Sequence, residues 1–184
     1  TIIPMNQIVF LFLGLIITVI GALPFGLVNL SVLNISYNEG ISKSMRVAYG
    51  ATVIELVFVG ISVLFGAIIS SFINSNPVVN YIVIGVVGLT GIYLFFKSEK
   101  DKKRTQYNTS GFYKGMILNA ISLQVLLYWL LAVSFIYAND FVLNTAFNVT
   151  TFLVGVVIGK LGILYLYAIF SKKVMARSKV ISNN

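Results

Sequence analysis

The stretch MRVAYGATVIELVFVGISVLFGAIISSFI, residues 45–73, decides the fold. It exceeds the roughly 20 apolar residues needed to cross a hydrocarbon core, and after Arg46 its only charged side chain is Glu55. A segment of this kind satisfies its backbone polar groups internally as a helix, which is what a bilayer demands. Further apolar stretches run at about 7–36, 77–96, 112–138 and 146–170, and the last carries a lone Lys160. The chain reads as an all-α integral membrane protein: a polytopic bundle of five transmembrane helices forming a single domain over residues 1–184.

Composition agrees. Hydrophobic residues make up 58% and charged residues 10% of the chain, against roughly 25% charged in an average soluble domain. There is no cysteine and no histidine. Disulfides, thiol chemistry and the usual zinc ligands are therefore absent, and any proton coupling falls to a carboxylate. No metal, cofactor or enzymatic activity is expected.

The basic residues set the orientation. Lys43 and Arg46 follow the first apolar stretch, Lys97, Lys100, Lys102, Lys103, Arg104 and Lys114 surround the 97–111 connection, and Lys172, Lys173, Arg177 and Lys179 follow the last stretch. The connections around Asn74–Asn76 and Asn139–Asn144 contain no basic residue, only Asp140. The N-terminus is thus expected outside, with loop 97–111 and residues 171–184 in the cytoplasm. This topology accounts for the formal charge of +8, so no nucleic-acid partner is expected. Abundant Ile, Asn, Lys and Tyr suggest an AT-rich bacterial genome, and the bacterial inner membrane is the expected location.

Two places interrupt the apolar pattern. In Gly21-Ala22-Leu23-Pro24-Phe25-Gly26, Pro24 lacks an N–H and crowds the preceding turn, so the first helix should kink or break. Asn29, Ser31, Asn34 and Ser36 follow; they either satisfy freed backbone groups or face a cavity. In the fourth stretch Asn119 and Ser122 share a helix face, and Gln124 points elsewhere. This trio is either interhelical packing glue or a cavity lining. Tyr128 and Trp129 after it read as interfacial anchors. Glycines at 50, 60 and 66, at 85, 88 and 91, and at 155, 159 and 162 mark close helix packing within one subunit or, less commonly, a dimer seam.

Glu55 and Lys160 carry the functional argument. A charge at the bilayer centre costs on the order of 2.5–3.5 kcal/mol on insertion scales unless it is paired or wetted. At 1.5 Å per residue each stands roughly 14–17 Å from the cytoplasmic edge. Equal depth and the cost of isolation predict an ion pair lining a polar path.

The order of these features resembles the lysine exporter (LysE/RhtB) superfamily of bacterial amino-acid and small-metabolite exporters. Leu23-Pro24-Phe25-Gly26 is similar to its Pro-Gly-Pro motif, and Asn38-Glu39-Gly40 with Gly50-Ala51-Thr52-Val53-Ile54-Glu55 to the loop and glycine-punctuated second helix. Gly91-Ile92-Tyr93-Leu94 resembles the end of the third helix. Phe112-Tyr113-Lys114-Gly115 leading to Asn119-Ala120-Ile121-Ser122-Leu123 resembles the opening of the fourth. Three departures stand out: Pro-Phe-Gly replaces Pro-Gly-Pro, Ser-Leu replaces Asn-Pro, and Lys160 stands where the family often has an acid. The resemblance implies two inverted three-helix repeats, with a sixth helix missing after Asn184, and a site at the repeat interface.

The expected activity is export of amino acids or similar small zwitterionic solutes, coupled to protons. Glu55 is the expected proton carrier, partly neutralised by Lys160. Asn29, Asn119, Ser122 and Gln124 would bind solute, while the break at Pro24 and Gly26 would expose backbone groups. The alternative is a non-transporting accessory subunit in which Glu55 and Lys160 form a static bridge and Phe58, Tyr165 and Tyr167 meet partner helices. Besides lipid, partners would be the solute and either a second copy or a larger membrane complex. A passive channel is less well supported, since neither a ring of charge nor a carbonyl filter is visible.

Overall fold

The computed structural model describes residues 7–24, 26–75, 111–139, 141, 143 and 145–182, and its regular structure there is entirely helical. The helices are α1 (Gln7–Ala22), α2 (Leu27–Glu39), α3 (Ile41–Ser75), α4 (Gly111–Ala120), α5 (Leu123–Ala138) and α6 (Ala146–Ser182). The expected helix at 77–96 lies outside the described residues. So does the 97–111 connection, apart from Gly111, which opens α4.

Within α3 the span Ile41–Gly66, and within α6 the span Ala146–Lys173, are each long and apolar enough to cross a membrane. The bent pairs α1 with α2 and α4 with α5 bring the number to as many as four if each is one span. α6 runs well past the expected end at residue 170: the basic tail continues the helix to Ser182.

The break at Pro24 falls where proline chemistry requires it, and α1 and α2 meet at 78°. Three freed carbonyls receive side-chain donors there. Asn29 Nδ2 donates to Ala22 O and to Pro24 O, both at 2.7 Å, and the Tyr167 hydroxyl donates to Leu23 O at 2.6 Å. Between α2 and α3, Gly40 takes φ 95°, a left-handed conformation that favours glycine.

A second break corrects the expectation of one continuous helix over 112–138. The chain bends by 64° between α4 and α5 with no proline present. Ser122 leaves the helical region at φ −83°, ψ 69°. Its hydroxyl donates to Leu118 O at 2.7 Å and its N–H to Asn119 O at 3.0 Å. A serine hydroxyl that bonds back one turn competes with the backbone ladder and favours a bend.

Glycines let the helices touch backbone to backbone. A Cβ on Gly14 would strike Phe152 O and Val156 N, and one on Gly155 would strike Leu11 O and Leu15 N. The α1–α6 seam is thus closed from both sides. The α3–α4 seam repeats it: a Cβ on Gly115 would meet Val47 O and Ala51 N, and one on Gly50 would meet Phe112 O and Met116 N. Leu11, Gly14 and Leu15 have the spacing of Phe112, Gly115 and Met116, and Val47, Gly50 and Ala51 have that of Phe152, Gly155 and Val156. The Gly155–Gly159 pair is therefore an internal packing ridge, as such pairs usually are.

Two apolar cores result. One joins Val32, Val47, Ala51, Leu118 and Leu164; the other joins Phe10, Val59, Trp129, Val133, Phe152 and Val156. Along α3 Glu55 falls between Ala51 and Val59, and along α6 Lys160 falls between Val156 and Leu164. The two charges thus sit where the cores meet.

Candidate functional site: a buried ion pair between α3 and α6

Glu55 and Lys160 stand equally far into their helices, Glu55 from Ile41 and Lys160 from Ala146. Their head groups meet: Lys160 Nζ lies 2.9 Å from Glu55 Oε2, with both side chains almost wholly buried. The pairing expected from depth and desolvation is therefore present. A pair so far from water is costly unless its remaining hydrogen-bonding positions are filled.

Most of them are. Asn119 Nδ2 donates to Glu55 Oε2 at 2.9 Å and to Ala51 O at 2.8 Å. Trp129 Nε1 donates to Glu55 Oε1 at 2.9 Å. One carboxylate from α3 thus gathers a donor from α4, one from α5 and one from α6. Charge-assisted bonds of this kind are the strong ones. Among the described residues Glu55 is the only partner of Lys160. Asn119 Oδ1 is fully buried with no hydrogen-bond partner among the described residues.

The other expected site residues are less closely gathered. Asn29 is buried, but its amide is committed to the α1 terminus. Ser122 is buried and bonds to its own helix. Pro24 is exposed at the break, where its carbonyl accepts from Asn29. Gln124 is exposed, with Nε2 3.9 Å from where a Cβ on Gly26 would stand, so the two helix breaks lie side by side.

Trp129 is the residue the sequence reading misplaced. An interfacial anchor should straddle the membrane boundary; Trp129 is fully buried, packs edge-on against Phe152 with centroids 6.1 Å apart, and holds Glu55. The available signal was position, since residue 129 lies nearer the middle of 112–138 than either end. Tyr128, also read as an anchor, donates its hydroxyl to Ile17 O at 2.5 Å and rests on Gly21. Tyr167, which the subunit alternative sets against partner helices, bonds to Leu23 O within the chain.

An apolar cavity of about 340 Å³ lies between α1 and α5, walled by Leu13, Ile17, Phe135, Ile136, Asn139 and Phe141. It does not reach the ion pair. Among the described residues no group of three or more acidic, cysteine or histidine side chains could hold a metal ion. The arrangement offers a carboxylate whose charge is balanced inside the protein, held by both halves of the bent α4–α5 pair. No family model, curated protein or solved structure matches this chain.

Proposed function

We propose that this protein is a secondary transporter of the lysine exporter type, moving amino acids or similar small solutes out of a bacterial cell across its inner membrane in exchange for protons. The observation that carries this reading is the Glu55–Lys160 pair, 2.9 Å apart and buried, with Glu55 held by donors from both halves of the span broken at Ile121–Ser122. Ionisable residues inside a membrane bundle are expensive, and transporters use them as proton relays. Interrupted helices at a repeat interface are where such proteins bind their cargo.

The proposed architecture is two inverted repeats, one built on α1, α2 and α3, the other on α4, α5 and α6. The matching glycine seams support it, as do the equal positions of Glu55 and Lys160. In this arrangement the pair joins equivalent helices of the two halves. Glu55 takes up and releases the proton, and Lys160 balances its charge when the proton has left. Asn119 and Trp129 hold the carboxylate in place, while the side chain of Gln124 and the backbone at Gly26 face the solute.

A second reading, a non-transporting accessory subunit, draws on the same site. The carboxylate is bonded entirely from within the chain, as a static bridge would be. Export separates the two. Cells loaded with labelled amino acids and expressing the parent should lose label faster than cells expressing the Glu55→Gln, Lys160→Met double variant at equal folded yield. No export by the parent across the common amino acids, with stable co-purification of other membrane proteins, would favour the subunit.

A further inference from the structure

The Glu55 carboxylate does more than pair with Lys160. Asn119 belongs to α4 and Trp129 to α5, the two halves of the span bent by 64° at Ile121–Ser122. Each half sends a single N–H to this one carboxylate, Asn119 to Oε2 and Trp129 to Oε1, both at 2.9 Å. No proline fixes the bend, and all three Ser122 bonds there, to Leu118 O, to Asn119 O and from Val125 N–H, are local. We propose that Glu55 is the clasp that sets the angle between α4 and α5, so that neutralising the carboxylate frees one half-helix from the other. Trp129 and Asn119 are then positioning residues.

The chemistry of the group supports this. A carboxylate accepts hydrogen bonds on both oxygens, so it can hold donors arriving from two directions. A carboxamide or protonated acid presents a donor on one side. The Lys160 ammonium keeps an acceptor at Oε2, so the donor falls on Oε1 and faces the Trp129 N–H. Asn119 keeps Ala51 O in that event, whereas Trp129 Nε1 has no second partner among the described residues. Release therefore falls on α5. The other titratable side chains at the site are Lys160 from α6, which neutralises the charge without occupying Oε1, and Tyr128 from α5, whose hydroxyl is already committed to Ile17 O. In the transport reading, on which the role of the motion rests, this converts proton uptake at Glu55 into movement of a half-helix beside Gln124 and Gly26.

The chain has no cysteine, so a labelled pair is unambiguous. Tyr113→Cys on α4 and Phe135→Cys on α5 are both exposed positions, and spin labels there report the angle across the bend in lipid nanodiscs. The parent pair should give one narrow distance distribution. Trp129→Phe, which leaves the ion pair intact, and the Glu55→Gln, Lys160→Met double variant should each shift or broaden it. Distributions unchanged from the parent in folded Trp129→Phe protein would overturn the clasp, whether or not the double variant folds. The measurement needs no transport. A responsive bend in a protein that exports nothing keeps the clasp and removes the exporter reading; lost export with an unmoved bend does the reverse.

Discussion

Removing the two halves of the ion pair should not cost the same. Glu55→Gln leaves the Lys160 ammonium buried with no counter-charge among the described residues, and stripping one member from a buried pair costs about 3–5 kcal/mol. It also turns the Oε1 side of the group into a donor facing the Trp129 N–H, adding about 1–3 kcal/mol for an unsatisfied buried N–H. Lys160→Met leaves a carboxylate that still accepts from Asn119 and Trp129 at 2.9 Å, and bonds to a charged group contribute about 1.5–3 kcal/mol each. Its cost should fall near about 3 kcal/mol, at the low end of the range for a broken buried pair. Combining both changes removes the orphaned ammonium, so the double variant should be more stable than the sum of the singles by about 2–3 kcal/mol. Equilibrium unfolding in mixed detergent micelles of the parent, both singles and the double reads all four corners of the cycle. Additive singles, or a Lys160→Met variant less stable than Glu55→Gln, would refute the reasoning.

The glycine seams separate tight contacts from open ones. Gly155→Ala and Gly115→Ala place a Cβ against the backbone carbonyls of Leu11 and Val47 and should lower the folded yield sharply, whereas Gly60→Ala and Gly162→Ala meet nothing within 4 Å and should be neutral or gain up to about 1 kcal/mol; thermal stability in detergent orders the four. At the Pro24 break, Asn29→Ala removes the side-chain donor from Ala22 O, while Pro24 O keeps the Gly26 N–H, and should cost about 1–3 kcal/mol, with Tyr167→Phe nearer about 1 kcal/mol, in the same unfolding assay. For topology, a cysteine at exposed Asn139 should react with an impermeant thiol reagent in intact cells and one at exposed Asn38 only after permeabilisation; the opposite pattern would invert the orientation.

Several features of the site could be read one residue at a time. Glu55 and Lys160 interrupt otherwise apolar runs, and isolated charges in hydrocarbon have few affordable partners, so each nearly names the other. Pro24 breaks a helix wherever it falls. The helix break at Ser122 was not legible, because serine back-bonding is compatible with straight and bent helices alike. Trp129 was misread for a related reason: an indole suits a membrane boundary and a buried acceptor equally well until the acceptor's location is known.

What the sequence by itself determined is a helical chain suited to a membrane, with apolar helices, a break at Pro24 and a pair of buried charges. Each of these follows from local chemistry, namely the transfer cost of a side chain into hydrocarbon and the backbone limits of proline. Only the tertiary structure decided which carboxylate oxygen meets which donor, that Gly26 and Gln124 bring the two breaks together, and that the Gly155 ridge packs on α1. Those outcomes depend on where helices far apart in sequence cross. A helix face specifies what it can bury but not which neighbour will bury it, and the same Asn or Trp caps, anchors or binds according to the group that the crossing places within 3 Å of it.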